Sequence, residues 1–326
     1  MLYYPKISII TPSFNQGQYI EQTILSVINQ QYPNLEYIII DGGSSDNTVD
    51  IIKKYESYIT YWVSEPDKGQ SDALNKGLIK CTGEIFNWIN SDDYLEENAL
   101  FEIAQAFNKN NTDIVCGYSR IFNDKEKVTI LEHRTQLFSS VEATMVEQKI
   151  NQQGMFYRLD IIRELGGINP NLHYVMDLEL WWRYLSSIGQ KNIRLIDKLI
   201  AHFRIHDDSK TGAFEQRFRN EEKAIWFYIL NQLDIGKPWT DYFMGSTLYY
   251  PKIWSFKALN EKELKNQIAV KYLYTAYTEG KIKFSKAAFL QLAKSRNLTF
   301  SLQSLAIFIK LFIGNIHFRK YFKANA

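Results

Sequence analysis

Several common sequence signals are absent from this chain of 326 residues, and each absence excludes a class of protein. Only two cysteines occur, Cys81 and Cys116, and neither has a second Cys or a His at the spacing of a metal site. Both are therefore predicted to be buried, reduced thiols of a cytosolic protein. With 38 Lys and Arg against 36 Asp and Glu, the net charge of +2 gives no reason to expect a nucleic-acid partner.

Signals for membrane insertion and for glycine-rich nucleotide binding are also absent. No apolar run reaches the roughly eighteen residues of a membrane-spanning helix, and the first strand pattern begins at Ile7, too early for a signal peptide. No Gly-x-Gly-x-x-Gly follows that strand, and no P-loop Gly-Lys-Ser/Thr occurs. These absences count against a dehydrogenase and a P-loop NTPase, so a bound nucleotide would be held by acids and a metal.

The N-terminal third of the chain alternates strand and helix patterns. Apolar runs that end in polar loops predict strands at residues 7–10, 35–40, 59–63 and 85–89. Helix patterns separate them, and repeated strand–helix–strand units are typical of a parallel, doubly wound α/β sheet. Since ligands bind beyond the carboxyl ends of such strands, the polar loops predict a nucleotide-binding half.

The fourth predicted strand ends in two adjacent carboxylates, Asp92 and Asp93. Two acids at this place suit a hard divalent cation and the phosphates that it neutralises. A turn that caps a helix over residues 95–107 is the alternative, because Asp and Ser favour such turns. The polar loops upstream favour the cation.

Beyond Asp113 the pattern becomes richer in strands, and an amphipathic helix begins near Asp177. From about Phe214 the chain becomes helical and rich in aromatic residues, so a domain boundary is predicted there. The further predicted strands cover residues 114–118, 128–131, 154–157 and 198–205. The predicted domains are 1–213, made of halves 1–110 and 111–213, and a C-terminal helical domain 214–326.

Seven short motifs follow one another along the first two thirds of the chain. They are Ile9-Ile-Thr-Pro-Ser-Phe-Asn15, Ile38-Ile-Ile-Asp-Gly-Gly-Ser-Ser-Asp-Asn-Thr48, Asp67-Lys-Gly-Gln-Ser-Asp-Ala-Leu-Asn-Lys-Gly77, Trp88-Ile-Asn-Ser-Asp-Asp93, Asn151-Gln-Gln-Gly-Met-Phe156, Met176-Asp-Leu-Glu-Leu-Trp-Trp-Arg183 and Phe203-Arg-Ile-His206. In this order the motifs resemble those of the inverting glycosyltransferases of family 2. The resemblance implies the GT-A fold, with a nucleotide-sugar-binding half and an acceptor-binding half.

The resemblance also implies a divalent cofactor, Mn²⁺ or Mg²⁺. It makes Asp93 the metal ligand and Asp92 a contact to the ribose or the donor sugar. A sugar nucleotide loses a charged diphosphate, which a cation held by carboxylates stabilises. His206 follows a predicted strand; it either reaches the metal or the diphosphate, or is a structural or surface histidine.

The same resemblance makes Asp177 the base that deprotonates the acceptor hydroxyl. Taken alone, an Asp at this place also fits a helix N-cap. The family usually has an acid before this Asp, and Met176 stands there in this chain. Glu179 is expected to pair with Arg183 on the exposed face of the helix and so not to compete as the base.

Further donor contacts are implied in the N-terminal loops. Asp41 is expected to accept a hydrogen bond from the uracil ring, Thr11, Pro12 and Asn15 to line the base pocket, Asp72 to lie near the nucleotide, and Lys68 to contact phosphate. Ordinary turn chemistry is the alternative for the loop residues. An ion pair with Lys76, four residues on, is the alternative for Asp72.

The predicted function is an inverting, metal-dependent transfer of a hexose or N-acetylhexosamine from a UDP-sugar to a saccharide hydroxyl. The resemblance suggests a lipid-linked glycan acceptor for a cell-surface polysaccharide, such as O-antigen or capsule. A degenerate transferase that only binds nucleotide sugars is a second hypothesis, but Asp92, Asp93 and Asp177 favour the enzyme. A sugar-phosphate nucleotidyltransferase would need a glycine-rich loop with Arg and Lys after the first strand, which residues 11–15 do not provide.

The predicted location is cytoplasmic, with peripheral contact to the inner face of the cytoplasmic membrane. Residues 305–316 are apolar but too few to span a bilayer, and basic residues interspersed with Phe and Tyr follow at 317–323. This composition suits a helix in the headgroup layer of an anionic membrane. The alternative is that the stretch closes the core of the C-terminal domain. Salt-sensitive binding to anionic liposomes, lost on truncation after Asn297, is the expected observation.

Overall fold

The computed structural model describes residues 3–108, 111–125, 128–206, 214–245, 249, 254–295 and 311. These residues form a nine-stranded sheet flanked by helices. The strands are β1 Ile7–Ser13, β2 Leu35–Asp41, β3 Tyr61–Ser64, β4 Ile85–Trp88, β5 Tyr94–Leu95, β6 Ile114–Asn123, β7 Val128–Arg134, β8 Met155–Arg158 and β9 Ile193–Ile205. The α-helices are Ile20–Ile28, Thr48–Lys54, Gln70–Lys80, Ala99–Phe107, Val141–Glu147, Leu159–Glu164, Met176–Ile188, Glu215–Gln232, Trp239–Phe243, Glu261–Thr278 and Ile282–Ser295.

The sheet is mostly parallel, as predicted. Its order is β3-β2-β1-β4-β8-β6-β9-β5, with β7 paired to β6. The first four strands in this order are parallel to one another, and β6 is parallel to β9. Because β8 is antiparallel to both β4 and β6, the two parallel sets run in the same direction. The carboxyl ends of six strands therefore lie along one edge of the sheet.

Near-continuous apolar runs explain why β1 and β2 are central strands. Every residue of β1 is buried, and so is every residue of β2 except Leu35. Strands covered on both faces are apolar throughout rather than alternating. Ile7, Ile9 and Ile39 pack in a core that also contains buried residues of the helices Ile20–Ile28 and Ala99–Phe107.

Two local predictions were wrong. The helix predicted from residue 95 begins only at Ala99, because Tyr94–Leu95 forms a strand that pairs with His202 and Ala201 of β9. The predicted pair of Glu179 and Arg183 is present at 2.8 Å, but both side chains are fully buried rather than exposed. The Arg183 guanidinium also donates to the backbone carbonyls of Leu165 and Gly167, so it stabilises the loop after the helix Leu159–Glu164.

The chain divides into two compact units. The first contains the sheet and consists of Met1–Leu137, Lys149–Arg219 and Tyr250–Ser255. The second consists of Phe138–Gln148, Asn220–Tyr249 and Phe256–Ala326, and its described regular elements are helices. The predicted single boundary near Phe214 differs from this division, because the helix Val141–Glu147 belongs to the second unit.

Aromatic side chains pack inside the second unit. Tyr242 stacks on Phe284 with ring centroids 4.2 Å apart, and Phe243 meets Tyr272 edge to face at 5.2 Å. No helix among the described residues is long and apolar enough to cross a membrane. The predicted membrane-contact stretch at residues 305–316 lies outside the described residues, except for Leu311.

Both cysteines are free and buried, as predicted. Burial raises the pKa of the Cys81 thiol and of the Cys116 thiol to about 12 in each case. Thiolates are the reactive form of cysteine. Neither side chain is therefore chemically reactive at neutral pH in the folded protein.

A buried carboxylate joins β1, β2 and the turn before β4. Glu36 accepts hydrogen bonds from the Ser8 hydroxyl at 2.6 Å and from the Thr82 amide and hydroxyl at 2.6 Å each, and it pairs with Lys6 at 2.7 Å. Burial alone would raise the pKa of Glu36. The hydrogen bonds from Lys6, Ser8 and Thr82 outweigh that effect and lower the pKa to about 2.

We expect Glu36→Gln to lower the free energy of unfolding at pH 7 by about 1–2 kcal/mol, since charge-assisted hydrogen bonds are lost and solvent screens part of the Lys6 contribution. The folded-state pKa lies below the ordinary value of 4.5, so this stabilisation exists above pH 4.5 and is lost as the pH falls towards 2. Urea unfolding across that range measures it. Glu102→Gln, which removes a surface pair with Lys198, is the control. Equal losses in both variants would contradict the prediction.

Candidate active site

A cavity of about 650 Å³ opens within the first unit, beyond the carboxyl ends of β1 and β4. It is the place at which a doubly wound sheet binds ligands. Three of the predicted site residues line it: Pro12, Asp92 and Asp177. The other predicted site residues do not line its wall: Thr11, Asn15, Asp41, Lys68, Asp72, Asp93 and His206.

The loop after β1 forms one side of the cavity. Phe14 lines the wall and is 60% exposed, so its side chain is accessible to a ligand. Ser13 and Gln16 also line the wall, and the Ser13 hydroxyl and the Gln16 side-chain carbonyl are buried without a hydrogen-bond partner among the described residues. Buried polar groups normally have partners. These three residues were missed from the sequence, although they adjoin the predicted Pro12.

Two of the predicted base-pocket residues make contacts within the protein. Thr11 is fully buried, and its hydroxyl lies 3.1 Å from that of Tyr37. The Asn15 side-chain carbonyl accepts a hydrogen bond from the Ser45 amide at 2.9 Å. Asn15 itself has a φ of 52°, which asparagine tolerates better than most residues.

Asp41 is also fully engaged within the protein. Its carboxylate accepts hydrogen bonds from the amides of Gly43 and Ser44 at 3.1 and 2.9 Å, from the Ser64 hydroxyl at 2.6 Å, and from the Ser44 hydroxyl. A carboxylate has about four lone-pair sites. The predicted contact of Asp41 with uracil would therefore require one of these donors to move.

Lys68 and Asp72 lie beside the cavity wall rather than on it. Lys68 is exposed. Oδ2 of Asp72 lies 3.9 Å from Nζ of Lys76, which agrees with the alternative that Asp72 forms an ion pair with Lys76. The cavity is lined here by Asp67 and Gln70. Asp67 accepts a hydrogen bond from the Gly69 amide at 2.7 Å, which shapes the turn before the helix Gln70–Lys80.

The two adjacent acids have different environments. Asp92 faces the cavity, and its Oδ2 lies 3.1 Å from Nε2 of His206, which follows β9. Asp93 is 1% exposed, and its carboxylate accepts hydrogen bonds from the Arg204 amide at 2.9 Å and from the side chains of Asn90 and Gln153 at 3.2 and 3.3 Å. Burial, and then repulsion from Asp92, raise the pKa of Asp93. The sheet thus brings His206 to the carboxylate pair.

The charge of the cavity wall bears on whether a cation fits it. The described lining contains three carboxylates, those of Asp67, Asp92 and Asp177, and no Lys or Arg. A diphosphate entering such a wall meets only negative formal charge, unless a cation accompanies it. No group of three His, Cys, Asp or Glu side chains is already arranged as a metal site among the described residues. Carboxylate oxygens with diphosphate oxygens are the ligands that Mg²⁺ and Mn²⁺ prefer, so the residues present fit such an ion.

Asp177 lies in the first turn of the helix Met176–Ile188 and lines the cavity. Val175 occupies the N-cap position of this helix, so the alternative in which Asp177 is the N-cap is wrong. The Asp177 Oδ1 accepts a hydrogen bond from the Leu178 amide at 2.8 Å, which fixes the rotamer. A carboxylate held at the wall of a cavity in this way can accept a proton from a bound hydroxyl group.

Histidine and aromatic side chains line the cavity together with Asp177. They are His133, His173, Tyr174 and Phe218. Tyr174 packs on Phe218 with ring centroids 5.3 Å apart, and its hydroxyl accepts a hydrogen bond from Arg217 at 2.7 Å. Burial, and then the charge of Lys149, lower the pKa of His133, so this imidazole is neutral at neutral pH. No local sequence signal distinguishes these residues, because they come from three separate segments.

A mostly parallel α/β sheet with a carboxylate-lined cavity at its carboxyl edge defines an α/β protein that binds its ligand at that edge. The family model for glycosyl transferase family 2 matches residues 8–169. Poly(ribitol-phosphate) β-N-acetylglucosaminyltransferase TarP of Staphylococcus aureus is 36% identical over 286 residues, which cover 85% of this chain and 81% of TarP. The chain therefore belongs to glycosyltransferase family 2, as its seven motifs predicted, and is a glycosyltransferase.

Another relative and two solved structures are also similar to this chain. An uncharacterized glycosyltransferase of Rickettsia typhi is 27% identical over 239 residues, 71% of this chain and 73% of that protein. The structure of S. aureus TarS 1–349 in complex with UDP-GlcNAc matches with a TM-score of 0.57 at 16% identity, over 89% of this chain and 80% of that one. The mannosyltransferase PcManGT of Pyrobaculum calidifontis, in complex with GDP-Man and Mn²⁺, matches with a TM-score of 0.54 at 15% identity, over 94% and 79%. These likenesses confirm the predicted GT-A fold.

Proposed function

We propose that this protein transfers N-acetylglucosamine or a related hexose from a UDP-sugar to a saccharide hydroxyl, with inversion at the anomeric carbon. The observation that carries the proposal is the presence of Asp92 and Asp177 on the wall of one cavity at the carboxyl edge of the sheet. UDP-GlcNAc as donor is supported by its presence in the TarS complex and by the name of TarP.

In this proposal the loop after β1 holds the nucleotide. The exposed ring of Phe14 stacks on the uracil, and the unpartnered oxygens of Ser13 and Gln16 bind polar atoms of the nucleoside. Asp92 and His206, which already lie together, would hold the cation, and Asp93 stays a predicted ligand beside them. When bound, a divalent cation supplies the positive charge that stabilises the departing diphosphate.

Asp177 accepts the proton of the acceptor hydroxyl. The hydroxyl oxygen then attacks the anomeric carbon from the face opposite the diphosphate, the bond between that carbon and the phosphate oxygen breaks, and UDP leaves. A single displacement of this kind inverts the configuration, and it needs one protein carboxylate rather than the two of a glycosidase. Tyr174 and Phe218 offer aromatic surface on which an acceptor sugar can pack.

The proposal predicts UDP release that depends on both a UDP-sugar and an acceptor. Purified protein with excess Mn²⁺ is incubated with UDP-GlcNAc, UDP-glucose, UDP-galactose, GDP-mannose and saccharide acceptors, and nucleoside diphosphate is measured. Release from a UDP-sugar is expected, and release from GDP-mannose alone would overturn the choice of nucleotide. Tight UDP binding with no release from any donor would favour the nucleotide-sugar-binding scaffold. A lipid-linked acceptor and contact of residues 305–316 with a membrane remain predictions.

A further inference from the structure

The side chain of Arg204, near the end of β9, is 5% exposed and lies behind the two adjacent acids. The Arg204 backbone amide donates to Oδ1 of Asp93 at 2.9 Å, and its Nε donates to the backbone carbonyl of Asp92 at 2.8 Å. The other guanidinium nitrogens donate to the Gln22 side-chain carbonyl at 2.6 Å and to the Asp124 carboxylate. One residue thus contacts both Asp92 and Asp93 through separate groups.

Aromatic rings surround the same guanidinium group. Its central carbon lies 4.7 Å from the ring centroid of Tyr19, 4.9 Å from that of Phe122 and 5.9 Å from that of Tyr94. These are cation–π distances. The Tyr19 ring also packs on the imidazole of His206, with centroids 4.7 Å apart. Tyr19 is therefore in contact with both Arg204 and His206, and His206 in turn contacts the Asp92 carboxylate.

The loop that carries the acids is held from a second side. The Thr23 hydroxyl lies within hydrogen-bonding distance of two of its backbone carbonyls, 2.9 Å from that of Ser91 and 2.7 Å from that of Asp93. Thr23 and Arg204 belong to different elements, the helix Ile20–Ile28 and β9. The position of the loop therefore depends on hydrogen bonds from these two other elements as well as on its own turn.

We propose that Arg204 is a positioning residue for the transfer reaction. Its guanidinium group fixes the backbone of Asp92, its backbone amide holds the carboxylate of Asp93, and through Tyr19 it orients His206. The three side chains are thereby kept in one arrangement, with Asp92 at the cavity where the diphosphate and its cation would bind. The proposal rests on the proposed function, since it names what holds the diphosphate-facing residues in place. Displacing such groups by about 1 Å can cost on the order of a hundredfold in rate.

The planar fork of arginine is what this role requires. Nε, Nη1 and Nη2 of Arg204 donate in three directions, to Asp92, Asp124 and Gln22. The ammonium group of lysine is a single point of charge on a flexible stem and cannot reproduce this geometry. Lysine would keep the charge opposite Asp124 but release the Asp92 carbonyl.

Arg204→Lys is therefore expected to weaken binding of Mn²⁺ with UDP by about tenfold in calorimetry and to lower kcat by about tenfold or more, at a temperature where circular dichroism shows the variant folded. Gln22→Ala, a change at an exposed residue, is expected to weaken the same binding by a few fold with an unchanged Tm. Arg134→Lys is the matched control. Arg134 also pairs with two carboxylates, Glu132 and Asp197, and stacks on Tyr118 at 3.9 Å.

The outcomes separate this proposal from the proposed function. Wild-type binding and turnover in Arg204→Lys would overturn the positioning role while leaving the proposed function intact. If Arg204→Lys does not fold, Gln22→Ala decides, and wild-type binding of Mn²⁺ with UDP in that variant would overturn the role. If the wild-type protein releases no nucleotide from any sugar donor, the proposed function is overturned. Calorimetry would still compare the binding of Mn²⁺ with UDP in the wild type and the variants, so the positioning role would still be tested. Equal weakening in Arg134→Lys would show a general effect of losing arginine.

Discussion

Replacing Asp177 with asparagine is expected to lower kcat by about a hundredfold or more while leaving the affinity for the UDP-sugar within a few fold of wild type. Loss of a general base typically costs about 10²–10⁴ in rate. Asparagine has the same shape and can still accept the Leu178 amide hydrogen bond, but it cannot take a proton from the acceptor. The measurements are steady-state kinetics with varied acceptor and calorimetric titration of the donor.

Asp160→Asn is the matched control for this experiment. Asp160 also lies in the first turn of a helix, Leu159–Glu164, and its Oδ1 accepts a hydrogen bond from the next amide, that of Ile161, at 2.8 Å. It does not line the cavity. Asp160→Asn should therefore keep wild-type turnover. If Asp177→Asn turned over normally but bound the donor poorly, Asp177 would be a donor contact rather than the base.

Removing the cation is expected to abolish turnover. Excess EDTA should abolish the activity of the wild-type protein, and Asp93→Ala should reduce kcat below about one hundredth of the wild-type value. The reason is that the cavity lining, among the residues that the structure describes, offers the diphosphate three carboxylates and no Lys or Arg. Activity is measured as UDP release before and after Mn²⁺ is restored. Asp197→Asn is the control, since the Asp197 side chain is 87% exposed and pairs with Arg134 at the surface. Full activity in excess EDTA would remove the metal from the mechanism.

The same series distinguishes the roles of the two adjacent acids. The sequence resemblance makes Asp93 the ligand, whereas Asp92 is the one that faces the cavity and lies 3.1 Å from His206. Mn²⁺ titrations of Asp92→Asn, Asp93→Asn and His206→Ala in the presence of UDP compare them. Similar losses in Asp92→Asn and His206→Ala would support a shared ligand role. An Asp93→Asn protein that binds Mn²⁺ normally would restrict Asp93 to holding the loop.

The parallel sheet was predictable because its signal is local. Buried strands such as Ile7–Ser13 and Leu35–Asp41 are apolar runs that end in polar loops, and short helices connect them. The strand Tyr94–Leu95 was not predictable, because it has two residues and exists only through pairing with β9. The burial of Arg183 was missed for a related reason: its partners are the carbonyls of a loop that the helical periodicity does not describe.

The site was predictable as a set of loops but not as a set of side chains. Thr11 and Pro12 are neighbours in one motif, yet only Pro12 of the two lines the cavity, and Thr11 is fully buried with its hydroxyl beside that of Tyr37. In a strand buried on both faces, hydrophobic alternation does not indicate which face is which. Asp41 was placed at the correct edge, but its hydrogen bonds to Ser44 and Ser64 depend on folded loop geometry.

Because both native thiols are buried, a thiol-reactive dye is not expected to label the folded wild-type protein. Cys81 and Cys116 are the only cysteines in the sequence, and both are inaccessible. A cysteine substituted for His173, which is exposed and lines the cavity, would then be the single reactive thiol. An environment-sensitive dye attached there would report filling of the cavity by donor and by acceptor in real time, without any chemical turnover.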